Sequence, residues 1–380
     1  MAIRRQCALL PLVALILAAS GPGEAEVRIG FANPLSGPYA VSGHRNLVAV
    51  ETAVRDLNRN GGVLGQQVEL VTADDRCGLE QALEAASSLV EADVDMVVGH
   101  MCSHSSLLAA GLYEAADVVM ISPSSTHPRL TEEGRANVFR LIGRDDRQGM
   151  LAGDFLAAHW ARERIAILHD GTTYGEGLAA ETRQRLEERG VSEVIYDAYV
   201  PGQHDYQPLV DRLRQARIEI LYVGGAGPDA ALILRTARMQ GYGLRLVGGD
   251  GLGMDEFWTV AGAAGEGTIF TRRRAGRSTP ETAAVLKEFE NRGLGTRPGG
   301  IGAYAAVQVW AKAVERAGTD QFRVLTNMLR RGRFETVIGP VAFDAKGDLK
   351  GAGWEWHVWT EGNYVPFLLP LRTQWTRSEG

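Results

Sequence analysis

The chain has 380 residues, a formal net charge of −6, and a composition that is 45% hydrophobic and 23% charged. That length can bury a sizeable core and accommodates two domains of ordinary size. The acidic balance argues against nucleic acid as a partner. The one basic cluster, Arg272, Arg273 and Arg274 with Arg277, reads as a solvated face.

The first stretch, MAIRRQCALLPLVALILAASGPGEA, has Arg4 and Arg5, an apolar run from Ala8 to Ala19, and small residues around a cleavage point after Ala25. This is the layout of a secretory signal. The apolar run is too short for a comfortable membrane span, and no later stretch reaches the required length. The expectation is an exported protein. Export bears on the cysteines, because Cys7 leaves with the signal while Cys77 and Cys102 stay. In an oxidising compartment these two most economically form one disulfide, closing a loop of about 25 residues worth roughly 3 kcal/mol in the chain-entropy model. His100 and His104 alternate with Cys102, a spacing that fits zinc ligation poorly. A metal site and a free thiol are the alternatives.

From residue 27 onward, short β-branched runs alternate with amphipathic helices. VRIGFA precedes a helix marked by Leu47, Val50, Val54 and Leu57, and NGGVLG supplies its stop. QVELVTA is the next strand, followed by a helix marked by Leu79, Leu83, Ala86 and Val90. VDMVVG, a helix from about Ser103, and VVMIS continue the alternation. A second series follows: RIAILHD, a helix from about Tyr174 to Gly190, VSEVIYDAYV, a helix near DYQPLVDRLRQA, IEILYVGG, another helix, LRLVGGD and GTIF. Alternation over these lengths predicts parallel sheets covered by helices on both faces, so two such series predict two doubly wound α/β domains. Helices around residues 303–317 and 321–331 come next. TVIGPVAFDAKGDLKG and GWEWHVWT then read as strands closing the domains, with Trp354 and Trp356 alternating with Glu355 and His357.

Enzyme signals are weak. GGAGPDA at 224–230, with Asp250 about 25 residues on, mimics a dinucleotide fingerprint, but Pro228 serves equally as a first helical residue and an exported protein has little access to NAD. His169-Asp170 and Asp74-Asp75 lack partners at catalytic or metal spacing, and no G-x-S-x-G elbow occurs. No catalytic residue, cofactor or metal is assigned. Polar residues do collect at the carboxyl ends of strands, where open α/β sheets bind ligands. Ser103 stands at a helix N-terminus, a ready anion site. Ser124, Ser125 and Thr126 end the following strand, Tyr174 opens a helix of the second series, and Asp250 ends a strand there. A helix N-terminus with hydroxyls suits a carboxylate, and an isolated carboxylate suits an ammonium. Together they suit an α-amino acid. Taken singly, each has a plainer reading: Ser103 as a cap, Thr126 as a turn residue, Asp250 as a loop or cap residue.

The segments SGPYAVSG, NGGVLGQQVELVTADDRC, VVGHMCSHSS, MISPSSTHPRLT, RIAILHDGTTYGEGL, GGDGL and IGPVAFDAKGDLKG, in that order, resemble the type I periplasmic binding proteins of ABC importers. The likeness is strongest to the leucine/isoleucine/valine-binding branch and runs from about residue 27 to residue 360. The resemblance implies an α/β fold of two doubly wound lobes joined by a three-stranded hinge, a ligand in the cleft, closure on binding, and a Cys77–Cys102 disulfide beside the site. The implied partition is a signal peptide at 1–25, one lobe from 26–143 and 276–352, the other from 144–275 and 353–370, and a tail at 371–380. By position, Ser103, Ser124 and Thr126 correspond to first-lobe groups holding the ligand's carboxylate and amine, with Met101 beside them. Tyr174 corresponds to an aromatic that closes over the ligand, and Asp250 to the acid that pairs with its ammonium. Ser42 and Ala226 stand where leucine-type proteins carry pocket tyrosines, and the acid is Asp in place of Glu. The implied function is non-enzymatic: a periplasmic, monomeric receptor that binds an amino acid, delivers it to a membrane permease, and has no nucleic-acid partner. Alternatives on the same fold are a receptor for an amide or aromatic carboxylate, a secreted enzyme, or a sensor-partner domain.

Overall fold

The computed structural model describes residues 27–274, 279–295, 297 and 299–368. The signal segment with its cleavage point, Arg277 and the tail after 370 lie outside the described residues. The first sheet holds β1 (Val27–Asn33), β2 (Val68–Asp74), β3 (Met96–Gly99), β4 (Val119–Ser122) and β5 (Val138–Arg140), all parallel in the order β2-β1-β3-β4-β5. Its crossovers are α1 (Ala40–Arg59), α2 (Leu79–Glu91), α3 (Ser103–Ala115) and the single turn α4 (Arg129–Glu132). Every residue of β3, β4 and β5 is buried, as expected for strands covered on both faces.

Glycine ends α1 as its sequence predicts. Gly61 and Gly62 take φ of 99° and 78°, and the Gly62 N–H donates back to Leu57 O at 2.9 Å. The α2 stripe differs from expectation. Leu79 and Leu83 are exposed, and the buried face is Ala82, Ala85, Ala86 and Leu89. A three-and-four spacing fits either stripe. The alanine face lets the helix approach the sheet closely, so closely that a Cβ on Gly30 would meet Leu89.

The second unit starts with α5 (Asp145–Trp160), then alternates β6 (Ile165–His169), α6 (Thr173–Glu188), β7 (Ile195–Ala198), α7 (Gln207–Gln215), β8 (Ile220–Gly224), α8 (Gly227–Met239), β9 (Arg245–Gly248), α9 (Asp255–Ala261) and β10 (Ile269–Arg273). The chain then returns to the first unit through α10 (Pro280–Asn291), α11 (Ile301–Ala317) and α12 (Phe322–Arg331). There Phe289, Val307, Trp310 and Leu325 share one core with Phe31, Val50 and Val98. A small ribbon of β11 (Phe334–Thr336) and β12 (Gly339–Val341) follows. The return is riveted by a fully buried arginine: Arg140 Nε–H donates to Asp348 Oδ1 at 2.8 Å, and Thr131 donates to the same carboxylate.

The chain finishes in the second sheet with β13 (Trp354–Thr360) and β14 (Asn363–Pro366), giving the order β14-β13-β10-β9-β8-β6-β7. β13 runs antiparallel to β10, and β14 antiparallel to β13. A two-residue turn explains the hairpin. Glu361 and Gly362 both take positive φ, 48° and 79°, the combination that matches strand twist. The chain thus passes between the two units three times: around residues 141–144, between β10 and α10, and around residues 342–353. The passages lie side by side: Trp354 Nε1–H donates to Arg144 O at 3.1 Å, and Arg274 N–H to Gly353 O at 2.9 Å. No helix among the described residues is long and apolar enough to cross a membrane.

Candidate functional site

A cavity of about 950 Å³ lies between the two units. Ser42, Met101, Ser103, Ser124 and Thr126 line it from the first, and Tyr174, Ala226 and Asp250 from the second. All eight residues singled out from sequence therefore meet in one place. A shallower groove along α1 and β2, lined by Glu51, Arg55 and Thr72, contains none of them.

The first-lobe wall is built around the start of α3. Cys102 is its N-cap residue and is disulfide-bonded to Cys77 with a Cα–Cα distance of 5.5 Å. The His104 ring closes the same loop through Cys77 O at 2.6 Å. The loop is thus pinned on both sides of Ser103, the first helical residue, and the helix's unpaired N–H groups are held at the cavity. Ser125 is taken up in support: its hydroxyl contacts Ser106 Oγ at 2.7 Å and donates to His100 O at 3.1 Å. Ser124 is left half-buried on the cavity wall. The two histidines of the HMCSH stretch separate. His104 lines the cavity, whereas His100 is wholly buried between Asp75 (2.6 Å) and the Tyr113 hydroxyl (3.1 Å). Among the described residues no three His, Cys, Asp or Glu side chains are grouped as metal ligands.

The opposite wall carries the acidic groups. Asp250 opens a 3₁₀ turn after β9, and its Oδ1 accepts from the Tyr174 hydroxyl at 2.9 Å and from Gln148 Nε2–H at 3.0 Å. Tyr174 is fixed in turn by the Gly251 N–H, 3.0 Å from its oxygen. Oδ2 of Asp250 has no hydrogen-bond partner among the described residues. Burial raises the Asp250 carboxyl above its ordinary range, and the bonds from Gln148 and Tyr174 act against that rise.

Sequence reading missed Asp145 and Gln148, which share the first turn of α5. Asp145 is fully buried; its Oδ2 accepts from the Thr126 hydroxyl at 2.9 Å, while its Oδ1 has no partner. Burial and then the nearby Asp250 push its carboxyl well above the usual carboxylate range. In the sequence, DDRQG carries no signal beyond acids at a helix start, which the macrodipole alone favours. The site thus has a helix N-terminus with hydroxyls on one wall and the Asp250 carboxyl on the other, with the buried Asp145 carboxyl near it.

Ser42 and Ala226 border the remaining space. The Ser42 amide and hydroxyl are both engaged by Glu256, at 2.8 and 2.7 Å. The Ala226 N–H donates to Asp170 Oδ2 at 3.2 Å, and Asp170 also accepts from the Thr172 amide and hydroxyl. The His-Asp pair is therefore a loop brace. The glycines of GGAGPDA have the same cause: a Cβ on Gly225 would strike the Tyr199 hydroxyl and Asp170, so the motif reflects close packing. Tyr39 stands on the cavity wall beside these residues, and burial followed by the Asp170 charge makes its hydroxyl a weaker acid. The basic cluster is only in part the solvated face expected: Arg274 is exposed, whereas Arg272 and Arg273 are half-buried. Arg272 lies over the Tyr364 ring at 4.3 Å, and both Arg272 and Arg273 line the cavity. Burial lowers Arg273 to about 10. These arginines sit where β10 leaves its sheet beside β13, so partners far along the chain cover them.

Residues 26–352 match the family of periplasmic binding proteins. The chain belongs to that family. This periplasmic binding protein is 35% identical over 359 residues to the Leu/Ile/Val-binding protein homolog 1 of Brucella suis biovar 1, covering 93% of this chain and 97% of the relative. It is 37% identical over 337 residues to the leucine-, isoleucine-, valine-, threonine- and alanine-binding protein of Pseudomonas aeruginosa, covering 87% and 90%. Among solved structures it is similar to a leucine-binding protein of Thermotoga maritima, with 25% identity, a TM-score of 0.81, and coverage of 90% of this chain and 98% of that one.

Proposed function

We propose that this periplasmic binding protein is the exported substrate-binding component of an ABC importer, and that it takes an α-amino acid into the interlobe cleft. One observation carries the reading. The pinned N-terminus of α3, with Ser103, Ser124 and Thr126, faces a second-lobe carboxylate whose Oδ2 is left without a partner. The helix end and hydroxyls receive the ligand's carboxylate, since unpaired N–H groups and the helix dipole favour negative charge. Asp250 receives the ammonium through Oδ2, while Tyr174 and Gln148 hold Oδ1 and so aim the group. Met101 and the disulfide wall one side of the ligand, and Ala226 and Ser42 leave room for its side chain.

The names carried by the Brucella and Pseudomonas relatives support the amino-acid class. The first lobe is residues 26–143 with 276–352, the second 144–275 with 353–370, and rotation about the three adjacent passages closes the cleft. The receptor works in the periplasm as a monomer after removal of residues 1–25. Its partner is a membrane permease that accepts the closed, liganded form, and its acidic charge gives nucleic acid no footing. A thermal-shift screen of the mature protein tests the reading. Free amino acids should raise the melting temperature, and their deaminated or amidated analogues should not. Equal stabilisation by the deaminated acids would overturn it.

A further inference from the structure

The two lobes touch each other directly beside the cavity, through groups that need no ligand. Glu256 on α9 of the second lobe is only 6% exposed, and the partners of its two oxygens are the amide and hydroxyl of Ser42 on α1 of the first lobe. One turn along α1, Arg45, itself 3% exposed, pairs with Asp255 Oδ2 at 2.5 Å. The other oxygen of Asp255 forms an ion pair with Arg297, whose Nε lies 2.6 Å away. Arg297, again of the first lobe, also donates to Gly362 O at 3.0 Å and stacks its guanidinium 5.5 Å from the Trp359 ring, both in the second lobe. Two adjacent acids on α9 are thus held by three first-lobe residues.

We infer that Glu256 and Asp255 are positioning residues that set this receptor's affinity by latching the lobes together, whatever side chain the ligand carries. Opening the cleft must separate both carboxylates from their partners, so the latch raises the population of the closed form before any ligand arrives. Apparent affinity scales with the fraction already competent to bind, so a ligand then spends less of its binding energy on closure. The latch also gives Ser42 a second role besides bordering the pocket: its two polar groups serve the opposite lobe. A residue that touches the ligand re-ranks ligands when changed. A latch residue scales all of them by one factor.

The ligand arm of the test rests on the amino-acid reading, whereas the scattering arm does not. Mature wild type, Glu256→Gln, Asp255→Asn and the double variant are compared in two ways. Small-angle scattering without ligand should give a larger radius of gyration for the variants, largest for the double. Calorimetry with L-leucine, L-threonine and L-glutamine should show every measurable dissociation constant raised by a common factor of about tenfold for Glu256→Gln, the scale expected when a charge-assisted bond is lost. Faster release should accompany it. An unchanged ligand-free radius overturns the inference, and so do unchanged dissociation constants or factors that differ between ligands. If Glu256→Gln does not fold, Asp255→Asn alone carries the same two measurements. If no amino acid binds wild type, the amino-acid reading fails, and ligand-free scattering still decides the latch.

Discussion

Replacing Asp250 by asparagine removes charge and little else. In the folded protein Oδ1 of Asp250 accepts from Tyr174 at 2.9 Å and from Gln148 at 3.0 Å, and an asparagine carbonyl placed there accepts both. Only the free oxygen, Oδ2, becomes an NH₂ group, which presents a donor to the ligand's ammonium. Alanine would be a poorer choice, because it would also strand the Tyr174 hydroxyl and the Gln148 amide at the cavity wall. In the closed cleft the ammonium has lost its water, and breaking one side of a buried pair costs about 3–5 kcal/mol. At about 1.4 kcal/mol per tenfold, Asp250→Asn should weaken amino-acid binding by at least two orders of magnitude. The ligand-free melting temperature should hold or rise, because the variant also removes the repulsion between Asp250 and the buried Asp145. Calorimetry with an amino acid and its deaminated analogue gives the readout. The analogue should bind wild type poorly and should be indifferent to the substitution. Retention of amino-acid affinity by the variant would refute the assignment, as would tighter binding of the deaminated acid to wild type.

The Cys77–Cys102 bridge should protect both mature thiols from alkylation until reduction, as read by intact mass. Reduction should cost roughly 3 kcal/mol of stability in urea unfolding and weaken ligand binding as the start of α3 loosens, whereas two freely alkylated cysteines in native material would contradict the bridge. Valine should not rank first in a competition series, because Ser42 and Ala226 leave space that a larger or more polar side chain fills, and valine at the top would mean that Tyr39 or a neighbour refills it. Asp145 should make stability depend on pH. Its folded carboxyl is raised above the ordinary 3.8, so the stability it contributes is complete below that value and is lost as pH rises through the folded pKa. Asp145→Asn, which keeps an acceptor for Thr126, should therefore gain on wild type as pH increases, by up to about 1.4 kcal/mol per pH unit within that window. A stability gap that is independent of pH would count against it.

Sequence by itself determined the elements and the contents of the site. Strand runs and helical spacings are local signals, so both doubly wound series were legible, and strand ends carrying Ser103, Ser124, Thr126, Tyr174 and Asp250 pointed to one cleft because open sheets gather such ends on one side. The two remaining cysteines pointed to their bridge for an equally simple reason, since no third mature cysteine competes. Tertiary structure decided what depends on partners distant along the chain. Nothing near Asp250 in sequence reveals that Gln148, 102 residues away, aims it, or that Asp145 lies behind it. Ser42 and Glu256 are 214 residues apart, and only the approach of the lobes makes them a pair. The stripe of α2 and the partial covering of Arg272 and Arg273 were likewise set by what packs on them. Periodicity specifies that a face exists, while the neighbour that covers it is fixed only when the chain has crossed between the lobes three times.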